Sequence, residues 1–206
     1  RRIYITDTEI NHVAHKLAQP TDVIIPTHFI DSLAGPLMKK KCNFHRIDGL
    51  HGHVHLHPHI RPTIICEPPK VMVRRLIGNG IHDSEEVISI PKDWLEGLEV
   101  TNADENQYEG NPWDLTTKLS QMNGVITQSV TLASEAVLLG VPTLLVSRAK
   151  RGFLERLVND GYPLFIARDS DESILAAWLA GMHLTDALEE PDWPNARSEI
   201  INFIKD

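Results

Sequence analysis

The chain has 206 residues, 42% of them hydrophobic, and a formal net charge of -8. That length supports one large domain or two small ones with a real core, and the acidic balance argues against a general nucleic-acid binder. Two cysteines imply no disulfide framework, and no apolar run is long enough to form an integral membrane segment.

The chain enters a strand at once, with Arg1-Arg2 ahead of Ile3–Thr6 and no Met, so a piece of a longer protein is expected. No signal-peptide pattern opens it, which makes a cytoplasmic location the default. Asp7 or Thr8 can cap a helix from Ile10 to about Leu17, with Ile10, Val13, Ala14 and Leu17 as its apolar face. Asp22–Pro26 reads as a second strand, Asp31–Lys41 as a helix weakened at Gly35-Pro36, and Asn43–Ile47 as a third strand. Strand and helix alternate, which predicts parallel α/β structure.

Gly49 to Pro69 carries four prolines and little helical periodicity, so it reads as a connection between domains. Strands are expected at Val71–Leu76, Val87–Ile90 and Val100–Asn102. Between the first two, Gly78-Asn79-Gly80 and Asp83-Ser84-Glu85 leave no room for a crossover helix. The two are therefore antiparallel neighbours, or residues are missing from the sequence, and the second is preferred. Asn111-Pro112 prefaces a helix over Leu115–Met122. Later elements are helices near Gly152–Asn159, Glu172–Ala180 and Asn195–Lys205, and a strand at Pro163–Ala167.

The most informative stretch is Gly124 to Ser147. Val125-Ile126 is a buried β-run; Gln128, Ser129, Val130 and Thr131 form the turn into a helix; Gly140 ends that helix, and Pro142 precedes a strand at Thr143–Val146. A helix N-terminus at the carboxyl end of a parallel strand offers backbone N–H groups to a phosphate. Glu135 follows about one turn into the helix, where a carboxylate can accept hydrogen bonds from ribose hydroxyls. The alternative is an ordinary βαβ unit with Ser134 and Glu135 on a solvated face.

Other candidates are weaker alone. Asp7 and Glu9 follow a strand end, where they serve as acid–base groups or simply as helix caps. Arg74 and Arg75 leave a strand and can meet a diphosphate or form a surface ion pair. Ser147, Arg148, Lys150 and Arg151 make a basic loop after the next strand. His12 and His15 read as structural or solvated. His51, His53, His55, His57 and His59 alternate strictly. In an extended chain they would share one face, a transition-metal hypothesis, but neighbours on that face are about 7 Å apart. Pro58 also argues against a regular strand. The preferred reading is linker residues lining a cleft, with substrate contacts or a metal site as alternatives.

The stretch around Ser129, Thr131, Ser134, Glu135, Ala136, Gly140, Val141 and Pro142 resembles the C-terminal half of GT-B glycosyltransferases and of UDP-N-acetylglucosamine 2-epimerases. Almost the whole chain resembles the GT-B-like group catalogued as domain of unknown function 354. The carrying residues are Thr6-Asp7-Thr8-Glu9, Ile24-Ile25-Pro26, Asp48-Gly49-Leu50-His51, Leu56 with Pro58, and Val73-Arg74. Gly52 and His55 depart from it, standing where that group tends to carry an acidic and an aromatic residue.

The resemblance implies two Rossmann-like lobes of GT-B type with parallel sheets, the N-terminal lobe incomplete. Residues 1–50 would end the first lobe, 51–69 link the two, and 70–206 form the nucleotide-binding lobe, with the last helix a candidate to pack back on the first. It implies a nucleotide sugar, a uridine diphosphate sugar foremost, bound for glycosyl transfer or epimerisation in polysaccharide synthesis. Arg74, Gln128, Ser129, Val130, Thr131, Ser134 and Glu135 would bind it, with Asp7, Glu9 or His51 in acid–base roles. No resident cofactor or metal is assigned, and a homodimer is a candidate assembly. The alternatives are a non-catalytic binder of sugar nucleotides or phospho-ligands, and a metal-dependent enzyme using the run His51–His59.

Overall fold

The computed structural model describes residues 1–38, 41–49, 51–56, 66–77, 87–104, 111, 114–169, 171–183 and 193–205. Leu50, His57, Pro58, His59, the Gly78–Glu85 segment, Glu105, Asn106 and Pro112 lie outside them. The chain divides into two compact units, one of Arg1–His57, Lys150–Leu157 and Asp192–Asp206, the other of Pro58–Ala149 and Val158–Pro191. Each is a Rossmann-like α/β unit built on a parallel sheet.

In the first unit β1 (Ile3–Ile5), α1 (His12–Ala18), β2 (Asp22–Pro26), α2 (Gly35–Met38), β3 (Asn43–Ile47) and α3 (His51–His55) follow in order. The sheet runs β1-β2-β3, every pair parallel. β2 is central and wholly buried, as expected of an apolar run covered on both faces. Val23, Ile25, Phe29, Ala34 and Leu37 make the core cluster, with Tyr4, Met38 and Phe44 against it.

Two helices depart from the sequence reading. Of the helix expected over Asp31–Lys41, residues 31–34 are turns and Gly35-Pro36 begins α2, because proline loses nothing in a first turn, where its N–H would have no partner. α1 buries His15 rather than its apolar residues: Val13 and Leu17 are exposed. The His15 ring lies 5.7 Å from that of Tyr4, a tertiary contact that overrides the helix's own periodicity.

In the second unit come β4 (Lys70–Arg74), a 3-10 turn (Asp93–Leu95), β5 (Glu99–Asn102), α4 (Leu115–Leu119), β6 (Gly124–Thr127), α5 (Val130–Leu138) and β7 (Thr143–Val146). After α6 (Gly152–Asn159), most of which belongs to the first unit, come β8 (Leu164–Ala167) and α7 (Glu172–Met182). Strand order is β5-β4-β6-β7-β8, all parallel. Val71, Val73, Ile126, Leu144 and Val146 cluster with Trp94, Trp178 and Met182. Met72, Val125 and Leu145 alternate to the other face and are also fully buried. The Trp178 indole donates to the Pro142 carbonyl at 3.0 Å, which satisfies its polar atom inside the core.

Val87–Ile90 is not the strand its composition suggests. Val87 makes one isolated antiparallel bridge to Ser147, and β4 pairs instead with β5 and β6. β4 and β5 are thus parallel neighbours in the sheet, an arrangement that requires a crossover between them.

The chain contributes two later segments to the first unit: residues 150–157, which include the start of α6, and α8 (Ala196–Lys205). α8 packs on β3 and α3. It buries Ala196 and Ile200 and leaves Ile201 and Ile204 exposed.

Candidate functional site

In the second sheet, strand order reverses direction between β4 and β6. Open α/β sheets take ligands at such a switch point, outside the carboxyl ends of the strands. The residues there are Arg74 at the end of β4, Arg75 after it, and the turn Thr127–Thr131 from β6 into α5.

The turn is built by small hydroxyl side chains. Thr127 Oγ1 accepts from the Ser129 N–H at 2.9 Å. Ser129 is the N-cap of α5, with φ −84° and ψ 116°, and its Oγ accepts from the Leu132 N–H at 3.3 Å. The N–H groups of Val130 and Thr131 donate to no acceptor among the described residues. They sit at the positive end of the helix dipole. Ser129 and Val130 are partly buried, and Thr131 is exposed. Glu135 is partly buried one turn further on. Ser134 is buried and turns its hydroxyl back onto the Thr131 carbonyl at 2.8 Å.

Gln128 has a bracing role that the sequence did not suggest. Its N–H donates to the Arg74 carbonyl at 3.1 Å. Its side-chain Oε1 accepts from the Leu76 N–H at 2.8 Å, and its Nε2 donates to the Ile88 carbonyl at 2.6 Å. One buried amide therefore ties the exits of β4 and β6 to the segment at Ile88. Arg74 lies opposite Thr127 in register, and its guanidinium donates to the Ala103 carbonyl at 3.2 Å. Arg75 pairs with Asp104 at 3.1 Å, and the same carboxylate accepts the Arg75 N–H at 2.8 Å. Of the two arginines, Arg75 is the ion pair.

In the first unit, Asp7, Glu9 and His51 all follow strand ends. Asp7 Oδ2 accepts from the His51 N–H at 3.4 Å, and its Oδ1 accepts from the Thr8 hydroxyl. Glu9 is 1% exposed. Its Oε1 accepts from the N–H of Ile30 at 3.1 Å and of Gly152 at 2.8 Å. That carboxylate caps α6 from a distant part of the chain. A Cβ on Gly152 would lie 2.0 Å from the His28 carbonyl oxygen, so only glycine fits. Of the basic loop, Arg148 and Lys150 are exposed, while Ser147 and Arg151 are buried.

The histidine run is not extended where it is described. His51–His55 is the short helix α3, closed by the Leu56 N–H on the Gly52 carbonyl at 2.9 Å. Alternate residues therefore diverge, and the pair four apart converges. The His51 and His55 rings lie 5.3 Å apart, while His53 is buried edge-on against Trp193.

Comparison with protein-family models, with curated proteins and with solved structures gives no match. Among the described residues no helix is long and apolar enough to cross a membrane. Among the same residues no three His, Cys, Asp or Glu side chains are grouped to hold a metal ion.

Proposed function

We propose that the second unit binds a nucleoside diphosphate group at the amino end of α5, with a uridine diphosphate sugar as its first candidate ligand. On this reading the chain is of GT-B type, related to the domain of unknown function 354 group, and serves glycosyl transfer or epimerisation. The observation that carries it is the pair of N–H groups on Val130 and Thr131, without an acceptor among the described residues, beside a switch point of the sheet. Backbone donors at a helix N-terminus suit a phosphate. Glu135, partly buried one turn further along α5, is the proposed acceptor for ribose hydroxyls. Arg74 gives one guanidinium N–H to the Ala103 carbonyl, and its other donors are the proposed phosphate contacts.

One observation favours a binder without turnover. Glu9, an acid–base candidate, is 1% exposed, and its Oε1 accepts from two backbone N–H groups.

A thermal-shift and calorimetric panel of uridine, adenosine and guanosine diphosphates, their sugar conjugates and inorganic phosphate tests the reading on the full chain. A ligand at a hundred times its dissociation constant adds about 2.7 kcal/mol of stability. Glu135→Gln is expected to weaken a nucleoside diphosphate and leave inorganic phosphate unaffected. No response to any diphosphate would overturn the proposal. Hydrolysis or epimerisation of the sugar conjugate, followed by NMR, separates an enzyme from a binder.

A further inference from the structure

We propose that the ligand of the second unit carries an anionic group beyond its diphosphate, the carboxylate of an acidic sugar, and that Arg148 and Arg168 hold it. The inference rests on the diphosphate reading and narrows it to nucleotide sugars of the uronic-acid class.

Position is the first argument. β7 lies between β6 and β8, with Leu145 opposite both Thr127 and Ile166. The chain leaves β6 through the turn at Thr127–Thr131, β7 through Ser147-Arg148-Ala149 and β8 through Arg168. All three exits lie on the carboxyl edge of one parallel sheet, where neighbouring strands stand about 4.8 Å apart. Arg148 therefore follows the strand next to the one that leads to the Val130 and Thr131 N–H groups, and Arg168 follows the strand after that. A sugar on the second phosphate extends over a distance of this order.

Unspent charge is the second argument. Arg148 is exposed, and its side chain makes no hydrogen bond or ion pair among the described residues. Arg168 is exposed as well, and its Nη1 donates to the Arg148 carbonyl at 3.3 Å and to the Ala149 carbonyl at 3.0 Å. Its Nε and Nη2 hydrogens have no acceptor among the described residues. Two guanidinium groups thus share one loop with no carboxylate paired to either among those residues, although the chain carries a formal net charge of -8. Elsewhere in the same unit Arg75 pairs with Asp104 and Lys70 with Glu99. The planar fork of arginine matches a carboxylate with two parallel hydrogen bonds.

The loop is also braced. The Ser147 N–H donates to the Ala167 carbonyl at 3.0 Å, and the Ala149 N–H donates to Ser147 Oγ at 3.1 Å. Ser147 and Ala149 are buried on either side of exposed Arg148. Arg168 ties the same loop to the end of β8. A cation carried on a fixed backbone gives up less freedom when it meets its anion.

The test is calorimetry on the full chain with uridine diphosphate, its glucose and glucuronic acid conjugates, and uridine triphosphate. The two sugars differ only in a carboxylate against a hydroxymethyl group. The glucuronic acid conjugate is expected to bind at least about tenfold more tightly than the glucose conjugate. Arg148→Gln should remove most of that preference and leave uridine diphosphate and its glucose conjugate unchanged. Arg168→Gln should do the same, and Arg168→Lys, which keeps the charge without the fork, should recover little of it. Lys92→Gln, at an exposed cation elsewhere in the unit, should leave the preference intact, which separates a contact from a general field. Far-UV circular dichroism checks that the variants fold. Equal affinity for the two sugars, or a preference that survives both arginine replacements, overturns this inference while binding of uridine diphosphate stands. A loss confined to uridine triphosphate would give the arginines to a third phosphate and overturn the carboxylate. No binding of uridine diphosphate removes the diphosphate reading and this inference with it.

Discussion

Two helix N-termini in this chain are completed in opposite ways. At α6 the first N–H goes to Glu9, a buried carboxylate 143 residues earlier in the sequence. At α5 the cap is local: Ser129 takes the Leu132 N–H, and those of Val130 and Thr131 have no acceptor among the described residues. Both ends offer an anion the same dipole. At α6 the protein supplies its own anion, and the end becomes a joint of the first unit. At α5 the described chain supplies a neutral hydroxyl, and two donors remain for something else. A helix end becomes a candidate site through what its own fold leaves undone.

The largest expected effect is at the closed end. Gly152→Ala would drive a methyl into the His28 carbonyl, 2.0 Å from where the Cβ must sit. Neither partner is a flexible side-chain tip, so the backbone has to move, at a cost of more than about 3 kcal/mol. Urea unfolding measures it. An unchanged midpoint would mean that α6 is not seated against the turn after β2, and the contrast between the two ends would fall.

Glu9→Ala comes next. It leaves the buried Gly152 N–H and the half-buried Ile30 N–H without their acceptor, and a buried group so stranded costs about 1–3 kcal/mol. Glu9→Gln keeps an oxygen for them but loses the charge. It also puts an NH2 where Oε2 now stands without a partner among the described residues. A loss of about 2 kcal/mol is expected. If both variants were as stable as the parent, Glu9 would be released for chemistry and the binder-only reading would lose its support.

The sequence showed the second of these ends and hid the first. The 124–147 stretch carries its whole logic locally: a buried run, hydroxyl residues at the turn, apolar helix positions, Gly140 at φ +75° and then Pro142. Its strands and helix fall where the pattern puts them. The partners of Glu9 are brought to it by tertiary folding, and nothing in Thr8-Glu9-Ile10 announces Gly152. Gln128 was legible as a turn residue but not as a brace, since its acceptor at Ile88 lies in a stretch that resembles a strand. The histidine run misled for a related reason. Its alternation mimics a strand, but His-Gly-His-Val-His has no apolar periodicity of its own, and burial of His53 against Trp193 accompanies a helical turn. Strict spacing in polar residues says little when packing decides the backbone.

Val130→Pro sharpens the open end without dismantling it. Proline at the first helical position removes one N–H and is otherwise well tolerated. It also requires an extended residue before it, and Ser129 already has φ −84° and ψ 116°. Stability should therefore change little. A hydrogen bond to a charged phosphate is worth about 1.5–3 kcal/mol, so diphosphate affinity should fall at least about tenfold. Calorimetry on variant and parent gives both numbers. Equal affinity would remove the amide pair from the site.

The smallest effect concerns Asp22, a carboxylate at the other end of β2 and a foil to Glu9. Its oxygens meet side chains: the Thr21 hydroxyl at 2.7 Å, His45 Nε2 at 3.2 Å, Asn43 Nδ2 at 3.3 Å and Arg1 Nε at 3.5 Å. The Thr21 hydrogen bond leads these in holding the Asp22 carboxyl down at about 2. An unfolded aspartate titrates near 3.9, roughly two units higher, so the folded form binds its proton less readily. The stabilisation is therefore fully present above about pH 4 and fades as pH falls towards about 2. Asp22→Asn should lower the melting temperature by a constant amount above pH 5, and the gap should close between pH 4 and pH 2. A gap that stayed constant to pH 2 would show that shape and not charge is what β2 needs at that position, leaving Glu9 as the carboxylate whose charge the first sheet depends on.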